Sequence, residues 1–220
     1  VTGHAVASDI GPRLAKAAVA ITVDGAMYDL HRPIEGDASV SIVTENTEAG
    51  RHVIRHSAAH IMAQAVLDLF PEARLGIGPA IKDGFYYDFD LPRALTPQDL
   101  KAIEKRMKKS VGRNHRFERR EWDPDEGRAM LEAAGQTFKV EILDDLRRDA
   151  EQRGEAAPAV STYTHGPFTA LCRGPHVEST GKLGPFKLLK VSGAYWRGDE
   201  KRPMLQRIYG TAWKTADDLE

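Results

Sequence analysis

The sequence predicts an α+β fold in two successive units, and three local patterns carry that reading. An Asp24-Gly25 pair between short apolar runs is a hairpin signal close to the start. Ile61, Ala65, Val66 and Leu69 then recur at helical spacing after His56, up to a stop at Pro71. The aromatic alternation Phe85-Tyr86-Tyr87-Asp88-Phe89-Asp90 follows and reads as a strand.

Taken in order, Ile10-Gly11-Pro12 breaks structure, Leu14 to Ala20 has helix-forming residues, and Ala20 to Val23 reads as a short strand. Ala26 to Leu30 returns as its partner, and Ser39 to Val43 alternates as a third strand. These elements span about 45 residues, which is marginal for a unit folding alone. Thr44 to Gly50 is polar and suits a linker. Gly76, Gly78, Pro79 and Gly84 punctuate a loop before the aromatic strand. Thr96 followed by Pro97 opens a helix with an apolar stripe of Leu100, Ile103 and Met107. Arg116 to Trp122 suits a strand, and Asp123-Pro124-Asp125-Glu126 caps a further helix. Lys139 to Leu143 fits either a strand or a helix start. Past Gly154 the chain is rich in Gly and Pro, with short apolar runs at Lys187 to Val191 and Leu205 to Tyr209.

Bulk properties narrow the function classes. The 220 residues include 31 basic and 32 acidic side chains, so net charge does not advertise a polyanion binder. The basic residues are nevertheless clustered between Lys101 and Arg120. A solvated helix face is the default meaning of such a run, and a phosphate-contacting surface is the alternative. No apolar stretch approaches the roughly 20 residues of a membrane span, and no secretory signal is present. The single cysteine, Cys172, excludes an internal disulfide and suits a reducing cytoplasm.

Chemistry concentrates in two short motifs. His56-Ser57-Ala58-Ala59-His60 puts two imidazoles four apart on one helix face. Cys172-Arg173-Gly174-Pro175-His176 supplies a thiol and a third imidazole on a tight loop. These four side chains could ligate tetrahedral zinc. Ser57 stands where a metalloprotease would carry its catalytic Glu. A histidine pair on a helix is commonly surface or core decoration, and a lone cysteine commonly a small hydrophobe. Their joint occurrence in a chain that uses cysteine once points to a site.

Ile54 to His60, Gly84 to Asp88, Cys172 to Val177, Gly193 to Asp199 and Met204 to Trp213 resemble, in order and interval, the editing domain of threonyl-tRNA synthetases. Asp9 to Ala17 resembles the small β-grasp (TGS-like) domain that precedes editing in that family. The resemblance implies a β-grasp-like unit lacking its first hairpin at 1–47, an α+β editing domain of the threonyl/alanyl type at 48–215, and the start of a linker toward a catalytic core at 216–220. It further implies a proofreading hydrolase that removes serine mischarged onto threonine tRNA. In that reading His56 and Lys139 position and activate water, the imidazole titrating near neutrality. His60, Tyr87, Cys172 and His176 bind substrate, with Tyr87 beside the terminal adenosine. Members commonly carry Asp two positions before the cysteine, to hold the substrate amine, where this chain has Ala170.

The expected partners are the 3′ end and acceptor stem of threonine tRNA and the remainder of a synthetase, with no membrane. No cofactor is expected. Alanyl-type editing proteins share the layout and hold zinc, so a zinc set of His56, His60, Cys172 and His176 is the alternative. A tRNA-binding module without chemistry is the other.

Overall fold

The computed structural model describes residues 1–219 and shows a mixed fold of three antiparallel sheets around one long helix. It opens on α1 (Gly3–Ile10), a helix without a counterpart among the predicted elements, capped by the Thr2 hydroxyl. The helix at Leu14 to Ala20 is shorter than expected: α2 is Pro12–Ala17, and β1 (Ala18–Val23) already begins at Ala18. Ala18, Val19 and Ala20 are buried on the pleated surface, and that burial overrides the helical propensity of alanine. The Asp24-Gly25 turn, both residues at positive φ, joins β1 to β2 (Ala26–Tyr28), and β3 (Val40–Thr44) pairs with the other edge of β1.

The polar stretch Thr44 to Gly50 is not a linker. Thr44 ends β3, and α3 (Glu48–Leu69) begins after a tight turn, with the Thr47 hydroxyl accepting from the Gly50 amide at 3.0 Å. A Cβ at Gly50 would lie 2.0 Å from the Thr44 carbonyl oxygen, so the helix starts this close to the sheet only on glycine. The polarity that suggests a linker is capping chemistry.

Every residue of α3 from Ser57 to Val66 is buried, as expected for a helix packed on all sides. One core joins Val19, Ala20 and Val43 of the first sheet to Ala58, Ile61 and Met62 of α3. The two-residue strands β4 (Arg74–Leu75) and β5 (Ala80–Ile81) flank β6 (Gly84–Asp90). Next come α4 (Pro97–Arg113), closed at its start by a Thr96/Asp99 capping box, and β7 (Glu118–Trp122). Asp123 caps α5 (Pro124–Ala133), and α6 (Thr137–Gln152) follows. Lys139 to Leu143 is therefore helical, with Lys139, Val140 and Leu143 buried along one side.

The Gly- and Pro-rich remainder holds four strands, of which β8 (Val160–His165) and β9 (Phe168–Leu171) have no predicted counterpart. The run Val-Ser-Thr-Tyr-Thr-His is too polar to announce a strand, although Val160, Thr162, Tyr163 and His165 are buried. β10 (Phe186–Tyr195) and β11 (Met204–Ala212) extend the short apolar runs in both directions. The larger sheet has the order β10-β11-β6-β4 with β5 beside β6, and the third sheet the order β7-β8-β9. Ala216–Leu219 forms a single helical turn, α7. Among the described residues no helix is long and apolar enough to cross a membrane.

Candidate active site

α3 presents His56 and His60 one turn apart, and the loop after β9 brings Cys172 and His176 against them. One nitrogen or sulfur atom of each lies within 4.8 Å of the other three. Ring centroids are 4.4 Å apart for His56 and His176, and 4.2 Å for His60 and His176. The helix motif and the loop motif thus form one cluster, covered by Phe117 stacked 4.7 Å from His176.

The loop is tied at both ends. The Cys172 amide donates to the Ser161 carbonyl at 3.0 Å, and the Ser161 hydroxyl donates to the Cys172 carbonyl at 2.6 Å. At the other end the Val177 amide donates to Ser57 Oγ at 3.1 Å. Between them Gly174 has φ +74°, and a Cβ there would meet the Tyr163 hydroxyl at 2.0 Å. A left-handed backbone and a close approach coincide at that residue, so glycine is required.

Ser57, which the sequence marks only as a missing glutamate, sets a tautomer. Its hydroxyl donates to the Val53 carbonyl at 2.9 Å and lies 3.1 Å from His176 Nδ1. With its single proton used on Val53, Ser57 can only accept from His176, which therefore carries its proton on Nδ1. His176 Nε2 is left bare, facing Cys172 Sγ at 3.4 Å, while His56 Nε2 faces the same sulfur at 3.3 Å. The Gly174 amide donates to Cys172 Sγ at 3.2 Å.

Burial dominates the electrostatics. It pulls the His56 pKa down to about 4, assisted by the neighbouring His52 charge. It holds His60 and His176 well below the usual imidazole range. The expected near-neutral imidazole at His56 is thereby corrected: desolvation keeps the ring neutral across the physiological range. The Cys172 thiol is pushed up to about 11 by burial, and the Lys139 ammonium down to about 8. At neutral pH the cluster is three neutral imidazoles, a protonated thiol and one cation.

Lys139, on the first turn of α6, lies with Cys172 in the wall of a cleft of about 350 Å³ that Arg119, Arg128, Arg147 and Arg173 also line. Tyr87 is 1 % exposed, stacked 5.0 Å from Phe89, and the Lys139 ammonium sits 5.4 Å from its ring centroid. Ala170 is buried in β9 opposite Tyr163, where it packs into the main core.

The donor set also fits zinc. Tetrahedral bonds of about 2.3 Å to sulfur and about 2.0 Å to nitrogen separate the two donors by roughly 3.5 Å, near the 3.3 and 3.4 Å observed. Either a shared thiol proton or a metal satisfies that spacing.

Residues 160–209, which run from β8 through the cysteine loop into β11, match the family model described as the threonyl and alanyl tRNA synthetase second additional domain. The whole chain is 51% identical to a threonine–tRNA ligase of Rhodospirillum rubrum and 52% identical to one of Acidithiobacillus ferrooxidans. Across 98% of the chain, identity to the threonine–tRNA ligase of Teredinibacter turnerae is 53%. The chain spans about a third of the length of these relatives, 33%, 33% and 32% respectively. With half of its positions shared from end to end, and with the histidine–cysteine cluster assembled, the chain belongs to the threonyl-tRNA synthetase family.

Proposed function

We propose that this region proofreads, hydrolysing the ester that joins serine to threonine tRNA. The observation that carries the reading is Cys172, which belongs both to the cluster of three imidazoles and to the wall of the cleft that Lys139 and Arg173 also line. An acyl ester on a polyanion needs a neutral acceptor for water, a cation for the developing oxyanion, and positive charge along its approach.

The Cys172 thiol can donate its hydrogen bond to the bare Nε2 of His176, keeping its proton, which leaves His56 Nε2 to accept from water. The water oxygen attacks the ester carbonyl, His56 takes its proton, and the Lys139 ammonium faces the new oxyanion. Collapse breaks the bond to the ribose oxygen, which recovers the proton from His56. The products are serine and tRNA with a free terminal hydroxyl. A ring with a pKa of about 4 holds that proton briefly and returns it readily.

Selectivity follows from size. One methyl is worth only roughly 1–3 kcal/mol in an activation pocket, so a second pocket closed to threonine's methyl supplies the rest. The cleft takes the aminoacylated 3′ end of the tRNA, the acceptor stem lies outside it, the remainder of a synthetase is the covalent or docked partner, and the cytoplasm is the compartment. The reaction runs without metal. In the zinc alternative His56, His60, Cys172 and His176 would hold the ion, which would acidify a bound water. The assay is deacylation of serine-charged and threonine-charged threonine tRNA by the purified chain, with and without chelator. Loss of serine alone, unaffected by chelation, is expected. Equal rates on both would sink the selectivity, and binding without turnover would leave a tRNA-binding module.

A further inference from the structure

Asp29 lies outside every motif named so far, in the turn that follows β2 of the first sheet. Its carboxylate nevertheless reaches the cysteine loop. One oxygen accepts from the His176 amide at 2.8 Å, and the other accepts from the Tyr163 hydroxyl at 2.6 Å. The Tyr163 ring packs edge-on against the His176 ring at 4.5 Å, and its hydroxyl fills the space that a Cβ on Gly174 would need. A single side chain from the first unit thus fixes the backbone of the third imidazole, and through Tyr163 it fixes the glycine turn beside the cysteine.

We propose that Asp29 is a positioning residue of the editing centre, so that the N-terminal unit completes the hydrolytic site and is not merely attached to it. The inference rests on the hydrolytic reading above. Two neighbouring contacts hold the same seam: His31 Nε2 lies 3.2 Å from Glu178 Oε1, and Met27 packs against the main core. The alternative anchors of the loop, Ser161 and Ser57, hold the Cys172 backbone and the Val177 amide, so neither replaces the bond to His176. Releasing the His176 amide and the Tyr163 hydroxyl loosens the turn that encloses Cys172 and opens the thiol to reagents.

Two independent readouts test this on the whole chain. Deacylation of serine-charged threonine tRNA by Asp29→Asn and Tyr163→Phe should fall about 10–100-fold in kcat with little change in KM, as for other residues that orient catalytic groups. Asp29→Glu should recover part of the loss. Alkylation of Cys172, the single cysteine of the chain, by iodoacetamide should become several-fold faster in Asp29→Asn. Tyr163→Phe keeps the ring and removes only the donor, so it serves where a change at Asp29 prevents folding. If the unaltered chain fails to hydrolyse the ester, the hydrolytic reading falls, while the alkylation rates still decide whether Asp29 holds the loop. Rates of deacylation and alkylation within about twofold of the unaltered chain in both variants would overturn the proposal. So would a loss confined to melting temperature.

Discussion

His60, His176 and Lys139 are buried and His56 and Cys172 half-buried beside them, gathering five titratable groups, whereas the outer face of α4 spreads Lys101, Lys105, Arg106, Lys108 and Lys109 into water. Inside, burial displaces the protonation equilibrium of each group and leaves one cation, Lys139. Outside, Lys108 pairs with Glu104 at 2.9 Å, and Arg106 approaches Asp68 at 3.9 Å. Among the described residues Lys101, Lys105 and Lys109 have no ion-pair partner. The difference teaches that charge density and chemistry are separate properties. The interior exerts strong local fields on few atoms, and the helix face offers weak, screened attraction to any polyanion.

Substitutions can widen or collapse that contrast. His56→Ala should lower ester hydrolysis by about 10²–10⁴-fold, with tRNA binding nearly unchanged, because the imidazole acts in the transition state. Single-turnover deacylation beside a binding isotherm checks it, and a binding loss as large as the rate loss would erase the interior's catalytic role. Lys139 makes a second, smaller prediction in pH. Its ammonium is lost near pH 8, so hydrolysis should decline above that value in the unaltered chain and lose this limb, at a lower plateau, in Lys139→Met. A profile unchanged by the substitution would assign the limb elsewhere.

Stability should also follow the interior. In the unfolded chain imidazoles bind protons below about pH 6.5, but native His56 resists until about 4 and His165 until about 3. The unfolded state therefore holds more protons in that window, and stability drains as pH falls from 6.5 toward 4. Above neutrality Lys139 and Cys172 oppose each other. The cost of the buried ammonium is relieved from about 8 to 10.5, while stability from the protonated thiol is lost from 9.0 to about 11. Denaturant titrations at pH 7 and pH 5 check the acid side, and equal midpoints would show that these rings are not neutral in the fold.

The smallest effect belongs to α4. Replacing Lys105, Lys108 and Lys109 with Gln should weaken tRNA binding modestly and flatten its salt dependence by roughly one unit of slope for each phosphate no longer neutralised. Discrimination between serine and threonine should not move. An unchanged salt slope would mark the face as solvated surface only.

Much of this was legible because its signals are local. His56 and His60 share a helix face by arithmetic, and the Thr96 cap and the Asp24-Gly25 turn announce themselves within a few residues. The hidden parts depend on distant partners. Asp29 becomes part of the site only when Tyr163 and His176 arrive, 134 and 147 positions later. Tyr87 reads as an accessible aromatic until Phe89 and Lys139 close over it. The burial that moves His56 away from neutrality is likewise a property of the assembled core. β8 escaped because it is the central strand of its sheet, buried almost continuously, yet its positions are largely filled by Ser, Thr, Tyr and His, so it shows neither an apolar run nor an alternation.

The enclosure of α3 has a consequence for how the molecule comes apart. Backbone amides between Ser57 and Val66 have no route to solvent short of opening the common core, so they should be the slowest in the chain to exchange with deuterium. Local fluctuations that fray α4 or the β10–β11 ribbon leave that segment shut. His60 therefore rides on the last part of the structure to open, with His56 one turn away at its edge, and partial unfolding elsewhere should leave their spacing intact.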